Sequence, residues 1–269
     1  MRPLTRELNT MIPMKKKHDA SGPLPFSQHL RSATRQVHTR AEKTSFIRGF
    51  LRGTASCDSY LRLLVDLAPV YHEMEVFMTD AAQSDFQGAP QLRPFYNPGL
   101  WRSDALAKDI AFLQRLCGSQ NELPSPSPAS EEYTQRIRNI ANYSPIGMIG
   151  HLYTRYMGDM SGGRVLAAIA SRSMGLGIGR GLDFYEFPDL DSINEAKQQF
   201  RAALDCIDSD PEAPELREMI TEESKRAFIH NIKIFNGLKG NSLSTLFRNL
   251  PGFQRAPVMD TPVMMADSA

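Results

Sequence analysis

Apolar residues recur at intervals of three and four along most of the chain, which is the spacing of amphipathic α-helices. No segment alternates convincingly between apolar and polar residues at period two, so we predict an all-α fold. The clearest helical patterns cover residues 30–42, 60–78, 104–117, 145–170 and 215–239, and further helices begin near residues 131 and 192.

Capping residues and helix breakers set the expected boundaries of these helices. The predicted N-caps are Ser27, Asp58 and either Asp191 or Ser192. Pro69 falls inside a helical pattern and predicts a kink there. Glycine and proline predict a loop over residues 83–98 and a surface turn over residues 175–188.

Length and composition limit the class of protein. The 269 residues suffice for one large domain or two small ones, and a formal charge of +1 does not point to nucleic acid or to an acidic membrane surface. No apolar run approaches the roughly 18 residues that span a bilayer, so we expect no membrane anchor. Cys57, Cys117 and Cys206 are widely spaced, which favours free thiols in a reducing compartment over a disulfide frame or a zinc site.

The two ends of the chain differ from the middle in composition. Residues 1–26 contain several prolines and a basic cluster at 15–18 without the apolar core of a secretory signal, and residues 240–269 lack helical periodicity. We therefore expect a disordered lead, one domain over residues 27–239 and a flexible tail. The expected location is the cytoplasm, with a plastid stroma open if the lead is a transit peptide.

Glycine is concentrated in one helical stretch, where it costs about 1 kcal/mol per residue relative to alanine. Gly158, Gly162 and Gly163 lie within six residues, and the first two share one helix face. One interpretation is that a flat ligand lies against bare backbone with Asp159 beside it. In this interpretation Asp159 has no cationic partner on its own helix. The other is a close helix crossing, with Asp159 in solvent. Spacing alone does not favour either.

A histidine and two cations are the other candidates for chemistry. His38 lies on the apolar face of the first helix, so we expect it to point inward, where a histidine is more often a core residue than a ligand. Glu42, one turn later, shifts that balance, because a carboxylate that accepts from Nδ1 leaves Nε2 free for a metal. Lys197 and Arg201 lie one turn apart without an intervening acid. Such a pair forms either a solvated helix face or a binding site for a ligand with two carboxylates. We assign no role to His230.

Three blocks of sequence together resemble the heme oxygenase family. The first is residues 30–42, LRSATRQVHTRAE; the second is residues 153–163, YTRYMGDMSGG; the third is residues 222–235, EESKRAFIHNIKIF. They occur in order, and the resemblance extends from about Ser27 to Leu238. The three blocks together are far more specific than any one of them.

The resemblance implies a single-domain helical bundle that holds heme between a proximal helix and a kinked distal helix. It makes His38 the axial ligand of the heme iron, with Glu42 orienting it, and it makes Asp159 the anchor of a catalytic network. The other implied catalytic residues are Gly158, Arg155, Tyr71 and Asn231. The implied heme-binding residues are Arg31, Tyr153, Lys197 and Arg201 at the propionates, Gly158, Gly162 and Gly163 along the distal backbone, and Phe228 and Phe235 in the walls.

The implied reaction is oxidative cleavage of heme to biliverdin, carbon monoxide and ferrous iron, with heme as both substrate and cofactor. It uses O2 and electrons from ferredoxin or a flavoprotein. The membrane-anchoring C-terminal helix of animal members has no counterpart here, which implies a soluble bacterial or plastid type. Two alternatives are a helical enzyme acting on another small molecule, which would need neither His38–Glu42 nor Lys197–Arg201, and a non-catalytic heme-binding protein of the same fold.

Overall fold

The computed structural model describes residues 24–86, 88–117 and 123–238, and apart from isolated bridges at Gly177 its regular structure there is entirely helical. The predicted all-α fold is confirmed. The helices are α1 Phe26–Glu42, α2 Ser45–Leu51, α3 Cys57–Gln83, α4 Ala89–Leu92, α5 Ser103–Leu116, α6 Pro128–Tyr143, α7 Met148–Leu152, α8 Gly158–Met174, α9 Ile193–Cys206 and α10 Ala213–Gly237. None of the helices in these ranges is both long enough and apolar enough to cross a bilayer.

The predicted lead and tail lie almost wholly outside the described residues. The basic cluster at 15–18 and the tail from residue 240 both fall there. The division of the chain into residues 1–26, 27–239 and 240–269 therefore stays a prediction.

Two long helices organise the core. α3 packs against α5 and α6, and α10 packs against α1, α6 and α7. α3 buries about half of its residues, most of them apolar, and it continues through Pro69 to Gln83. These two helices supply Tyr71 and Asn231, so the frame of the core also positions the candidate site.

The first helix is capped by a distant part of the chain. α1 begins at Phe26, and its N-cap residue makes no side-chain hydrogen bond. Instead, the carboxylates of Asp208 and Asp205 accept from the backbone N–H groups of Phe26, at 3.1 Å, and Ser27, at 2.8 Å. The prediction of Ser27 as N-cap is wrong because the acceptors come from the far end of α9 and the turn after it, which local spacing cannot reveal.

The other two predicted caps had different outcomes. α3 is capped by Ser56, whose hydroxyl accepts from the Ser59 N–H at 3.1 Å, so the prediction of Asp58 is wrong. Asp58 lies in the first turn and pairs with Arg62 at 3.1 Å. Ser192 caps α9 by accepting from the Glu195 N–H at 3.3 Å, which confirms one of the two predicted residues.

Both predicted irregular segments contribute to the core. Residues 83–98 contain α4 and a 3-10 turn at Arg93–Phe95, which bury Leu92 and Phe95. Residues 175–188 are not a surface turn, since they bury Phe184, Tyr185 and Phe187. The Asp109 carboxylate accepts from the N–H groups of Asp183, at 3.0 Å, and Phe184, at 2.8 Å. Because this carboxylate satisfies the turn's backbone, its aromatic residues can enter the interior.

All three cysteines are free. The thiols of Cys57, at the start of α3, and Cys117, just after α5, are close enough to influence each other's titration. Burial raises the pKa of Cys57, so the thiol stays protonated at neutral pH.

The glycine-rich segment is a helical run whose pitch changes partway. A 3-10 turn at Pro145–Gly147 leads into α7, a π turn spans Tyr153–Met157, and α8 follows from Gly158. We call the whole run, Pro145–Met174, the distal helix. A π turn inserts an extra residue into the helical hydrogen-bond ladder and frequently marks a functional site. Here the insertion ends at Met157, two residues before Asp159, and sets the rotation at which α8 leaves α7.

Candidate active site

Four side chains from four segments meet in one buried cluster: Tyr71 of α3, Arg155 of the π turn, Asp159 of α8 and Asn231 of α10. Tyr71 donates its hydroxyl hydrogen to Asp159 Oδ2. Arg155 donates to the Tyr71 oxygen from Nε at 2.9 Å and Nη2 at 2.8 Å, and to Asn231 Oδ1 from Nη1 at 2.9 Å. We call these four residues the distal network. Folding brings them together although Tyr71 and Asp159 are 88 residues apart.

Asp159 is paired and largely buried. Arg155, one turn earlier, lies 3.4 Å from it between Nη2 and Oδ1, and only 10% of the Asp159 side chain is exposed. The expectation that Asp159 lacks a cationic partner on its own helix is therefore wrong, and so is the alternative that it lies in solvent. Burial raises the pKa of Asp159 above its ordinary value, while Arg155 and the Tyr71 hydroxyl act in the opposite direction.

The other members of the network are held in defined protonation states. Burial raises the pKa of Tyr71 well above its ordinary value, so its hydroxyl remains a donor. Burial disfavours the charge of Arg155, but its interactions with Tyr71 and Asp159 outweigh that effect and raise its pKa. A fixed cation and a fixed hydroxyl therefore orient the Asp159 carboxylate.

The glycines of the distal helix are used in two ways. Gly162 and Gly163 are buried, and a Cβ on Gly163 would come 3.1 Å from the Tyr185 ring, as in a close packing contact. Gly158 is exposed, and a Cβ there would meet nothing within 4 Å. The helix therefore presents open backbone beside the distal network, while the next turn packs tightly.

His38 lies at the edge of the fold. Its side chain is 43% exposed, so the expectation that it points inward is wrong. α1 rests on α10 and buries Leu30, Thr34 and Ala41, which leaves His38 at the rim of the buried face. Its Nδ1 lies 3.6 Å from Glu42 Oε1, which suits an ion pair but is too long for a hydrogen bond.

Aromatic side chains of α10 lie around His38. The Phe228 ring meets the His38 ring edge to face, with centroids 5.5 Å apart. About two turns further along α10, the Phe235 ring stacks on the Phe46 ring, with centroids 6.2 Å apart. Both α10 residues are only partly buried, so they present apolar surface beside the imidazole.

The residues predicted to bind carboxylates lie close together. Tyr153 lies beside Thr34 and near the charges of Arg31 and Arg201, and all three oppose the rise in its pKa caused by burial. Lys197 lies beside Arg201 and is only 8% exposed. Burial, and then repulsion from Arg201, lower the pKa of Lys197.

This arrangement fits a flat ligand that carries carboxylates. Lys197 has no carboxylate partner in the described part of the chain, and a buried cation is stabilised when a ligand supplies one. His38 adds a partly exposed imidazole, and Gly158 adds bare backbone. Two surface grooves of about 480 and 400 Å³ contain none of these residues, so these side chains, not the grooves, define the candidate site.

Sequence reasoning missed a buried carboxylate behind the distal network. Glu75 of α3 accepts from the backbone N–H groups of Arg102, at 2.5 Å, and Ser103, at 3.2 Å, and from the Tyr156 hydroxyl at 3.1 Å. It caps α5 and holds Tyr156, whose ring packs edge to face on Tyr71 at 5.7 Å. The available signal was an acidic residue inside the apolar pattern of α3.

A second missed group lies between α6, α7 and α10. Glu223 binds Arg136 and His151, and His151 also reaches the Tyr133 hydroxyl. His230, which had no predicted role, stacks on Tyr133 with centroids 4.9 Å apart and planes 6° from parallel. A glutamate and histidines on helix faces that are otherwise buried were the signal for this group.

Comparison with known proteins gives consistent matches. A protein-family model described as heme oxygenase matches residues 24–237. A heme oxygenase from Rhodella violacea is 36% identical over 84% of this chain and 95% of its own length. Heme oxygenase 1 from Rattus norvegicus is 35% identical over 80% of this chain and 71% of its own length.

Solved structures agree with these matches. Heme oxygenase-1 from the cyanobacterium Synechocystis sp., solved in complex with heme, is similar with a TM-score of 0.71 and 35% identity, covering 81% of this chain and 93% of that one. Heme oxygenase from Leptospira interrogans has a TM-score of 0.70 and 34% identity, covering 80% and 100%.

Proposed function

Because this chain belongs to the heme oxygenase family, we propose that it binds heme and cleaves it oxidatively to biliverdin, carbon monoxide and ferrous iron. The observation that carries the proposal is the distal network of Tyr71, Arg155, Asp159 and Asn231, buried directly beside the open backbone of Gly158. A protein that only stores heme has no need for an oriented carboxylate at that position.

His38 is the proposed axial ligand of the heme iron. Its imidazole is partly exposed, lies against the edge of Phe228 and has Glu42 beside Nδ1, so Nε2 can face the iron. Bound heme supplies the iron at which O2 is reduced and the ring carbon that is oxidised. The protein supplies the orientation and the polar groups around that chemistry.

The distal network has the role of ordering water and supplying protons beside the open backbone of Gly158, where heme would bind. Arg155 remains charged and Tyr71 remains protonated, so both hold the Asp159 carboxylate in one orientation. A carboxylate fixed in this way can order water without rearranging during the reaction, which is the source of most electrostatic catalysis. Gly158, which is exposed on the same helix, keeps a side chain away from the ring.

Arg31, Tyr153, Lys197 and Arg201 are the proposed partners of the heme propionates. The burial of Lys197 beside Arg201 supports this assignment, because a ligand carboxylate would relieve both the desolvation and the repulsion. Phe228 and Phe235 are the proposed walls. The proposed electron donor is a ferredoxin or a flavoprotein, and O2 is the co-substrate.

The decisive experiment is a turnover assay with chromatographic identification of the product. Purified protein with one equivalent of heme, ferredoxin, ferredoxin reductase and NADPH should give biliverdin in air and none without oxygen. His38→Ala should lose the histidine-ligated spectrum in the ferric and ferrous states, whereas His72→Ala, at an exposed position on α3, should keep it. Heme binding without biliverdin would replace this proposal with a heme-buffering role, and an unchanged His38→Ala spectrum would reassign the ligand.

A further inference from the structure

A second buried polar cluster lies one helical turn before Arg155 and joins three helices. The carboxylate of Glu223 on α10 accepts two hydrogen bonds from Arg136 on α6. Nε donates to Oε2 at 3.0 Å, and Nη2 donates to Oε1. The same carboxylate lies 3.2 Å from Nε2 of His151 on α7. His151 is fully buried, and its Nδ1 lies 3.3 Å from the Tyr133 hydroxyl. We call Arg136, His151 and Glu223 the α7 clamp.

The chemistry of the clamp fixes its protonation. Burial alone would raise the pKa of Glu223, but the hydrogen bonds from His151 and Arg136 outweigh it and bring the value to about 2. Burial lowers the pKa of His151, so its ring is neutral at pH 7. An ionised Glu223 can only accept, so Nε2 carries the hydrogen and Nδ1 accepts from Tyr133. His151 therefore has one donor and one acceptor, each with a partner.

The backbone at the clamp leaves α7 little freedom to rotate. A Cβ on Gly150 would come 2.7 Å from both the Ile220 carbonyl oxygen and the Ser224 nitrogen, so the two helices touch main chain to main chain. One turn on, the Thr154 hydroxyl lies 3.3 Å from the Ser224 carbonyl oxygen. At such close approach, a rotation of α7 about its axis would break the hydrogen bond between His151 and Glu223.

The clamp is connected to the distal network through continuous helix. His151 and Arg155 are four residues apart, and the π turn begins between them. α10 supplies Glu223 to the clamp and Asn231 to the network, so one helix holds the distal helix at two points. None of the clamp residues belongs to the distal network.

We propose that Glu223 is a positioning residue for the reaction: by fixing the rotation of α7 through His151, it aims the Arg155 guanidinium at Tyr71 and Asp159. The effect on turnover rests on the proposed function, whereas the effect on the distal helix does not. A displacement of about 1 Å in a catalytic group can cost on the order of a hundredfold in rate. A group that never touches the substrate can therefore control the reaction.

The first test uses the ligand-free protein. Glu223→Gln keeps the size of the side chain and removes its charge, and Glu222→Gln is the matched control, since the neighbouring Glu222 is exposed and pairs only with Lys225 among the described residues. Amide hydrogen exchange over residues 152–160 should become about tenfold faster in Glu223→Gln and stay within about twofold in the control. Unchanged exchange there, or an equal increase in α3 and α9, would overturn the proposal, because the latter is general destabilisation.

A second variant guards against misfolding of the first. His151→Phe keeps a ring in place and leaves Glu223 paired with Arg136, so it removes the link to α7 without leaving a buried charge alone. It should reproduce the local increase in exchange. Wild-type exchange in folded His151→Phe would show that the contacts of Gly150 alone hold the helix, and would refute the role of Glu223.

Turnover supplies the final readout. With heme bound, folded Glu223→Gln should lose tenfold or more in biliverdin formation, while the heme dissociation constant changes by less than about twofold. Wild-type turnover in the folded variant would refute the positioning role. If the wild-type protein itself forms no biliverdin, the proposed function fails, and the exchange experiment alone then decides whether Glu223 positions Arg155.

Discussion

In the first half of the distal helix, every residue from Met148 to Tyr156 except Tyr153 is buried, whereas in α8 burial is confined to Met160, Gly162, Gly163 and Ala170. The first half packs against α10, and α8 packs against α2 and the turn at Asp183–Tyr185. Two polar clusters tie the first half to its neighbours. We call Pro145–Met157 the fixed half and Gly158–Met174 the open half.

The difference shows how one helix can serve precision and access together. Gly150 of the fixed half is a glycine because neighbouring backbone occupies the space of a Cβ, whereas Gly158 of the open half has that space free. Arg155 belongs to the fixed half, and Asp159 to the first turn of the open half. Asp159 is therefore oriented by buried, hydrogen-bonded groups while it lies beside exposed backbone.

The largest expected effect on turnover comes from removing the Asp159 carboxylate, which Arg155 of the fixed half contacts from the other side of the boundary. Asp159→Ala removes the carboxylate that Arg155 and Tyr71 orient, so biliverdin formation should fall about a hundredfold to a thousandfold. Heme affinity and the proximal spectrum should stay nearly unchanged, because His38 lies on another helix. Asp159→Asn should be milder, since an amide still holds water. The measurement is product after one reductive turnover with oxygen, together with the heme dissociation constant.

Two results would contradict this account of Asp159. A normal biliverdin yield from the alanine variant would remove Asp159 from the mechanism. A large loss of heme affinity would make the residue structural, and the distinction between the two halves would then concern stability alone.

Substituting one glycine in each half tests the comparison directly. Gly150→Ala places a methyl group 2.7 Å from backbone atoms of α10, so it should destabilise the fold by about 1–3 kcal/mol or more. Gly158→Ala meets nothing within 4 Å and should leave the ligand-free protein as stable as wild type or up to about 1 kcal/mol more stable. Urea unfolding of both variants without heme measures the difference.

The turnover of Gly158→Ala should not follow its stability. Gly158→Ala puts a methyl group where the ring is proposed to lie, so its turnover should fall although its stability does not. Equal stabilities for the two variants would refute the distinction between a fixed and an open half. Wild-type turnover in Gly158→Ala would remove Gly158 from the heme contact.

Helix periodicity predicted much of this fold, because most helices here bury a continuous apolar face. It failed where the determining partner is remote: the acceptors that cap α1 lie 178 and 182 residues away, and Asp109 draws an aromatic turn into the core. Periodicity also predicted wrongly that His38 points inward. His38 is on the apolar face of α1, but α10 covers only part of that face, so His38 lies at its rim.

The candidate site was predictable only through the resemblance to a family. Tyr71 and Asn231 lie 84 and 76 residues from Arg155, and no local spacing connects them. The pairing of Arg155 with Asp159 is the exception, because residues four apart on a helix lie one turn from each other. Glu223 and His151 carry no recognisable motif, and their significance depends on the close approach of two backbones at Gly150.

The stability of the fold should fall in mild acid because of His230. Its ring stacks on Tyr133, and Glu132, Lys233, Arg136 and His151 are the charged or titratable groups around it. Burial lowers the pKa of His230 from 6.5 to about 4. Between those values the unfolded chain binds a proton that the folded chain does not, so stability falls as pH falls, by up to about 2 kcal/mol at pH 5.

His230→Leu should remove that loss while keeping an apolar contact with Tyr133. We expect its free energy of unfolding, measured by urea titration, to match wild type within about 1 kcal/mol at pH 7.5 and to exceed it at pH 5. His72→Leu, at an exposed position, controls for the removal of a histidine. A constant difference between His230→Leu and wild type at the two pH values would contradict the lowered pKa.

The smallest energetic effect should come from the cations beside the site. Neutralising Lys197 and Arg201 should change the orientation of heme more than its affinity, because two ion pairs contribute less to binding than burial of a porphyrin face does. Lys197 is more buried than the sequence implied, so Lys197→Met should mix the biliverdin isomers more than Arg201→Met does. Lys225→Met, on the surface of α10, is the control. Chromatographic separation of the isomers is the measurement, and one unchanged isomer from the double variant would mean that the fixed half and the walls alone orient the ring.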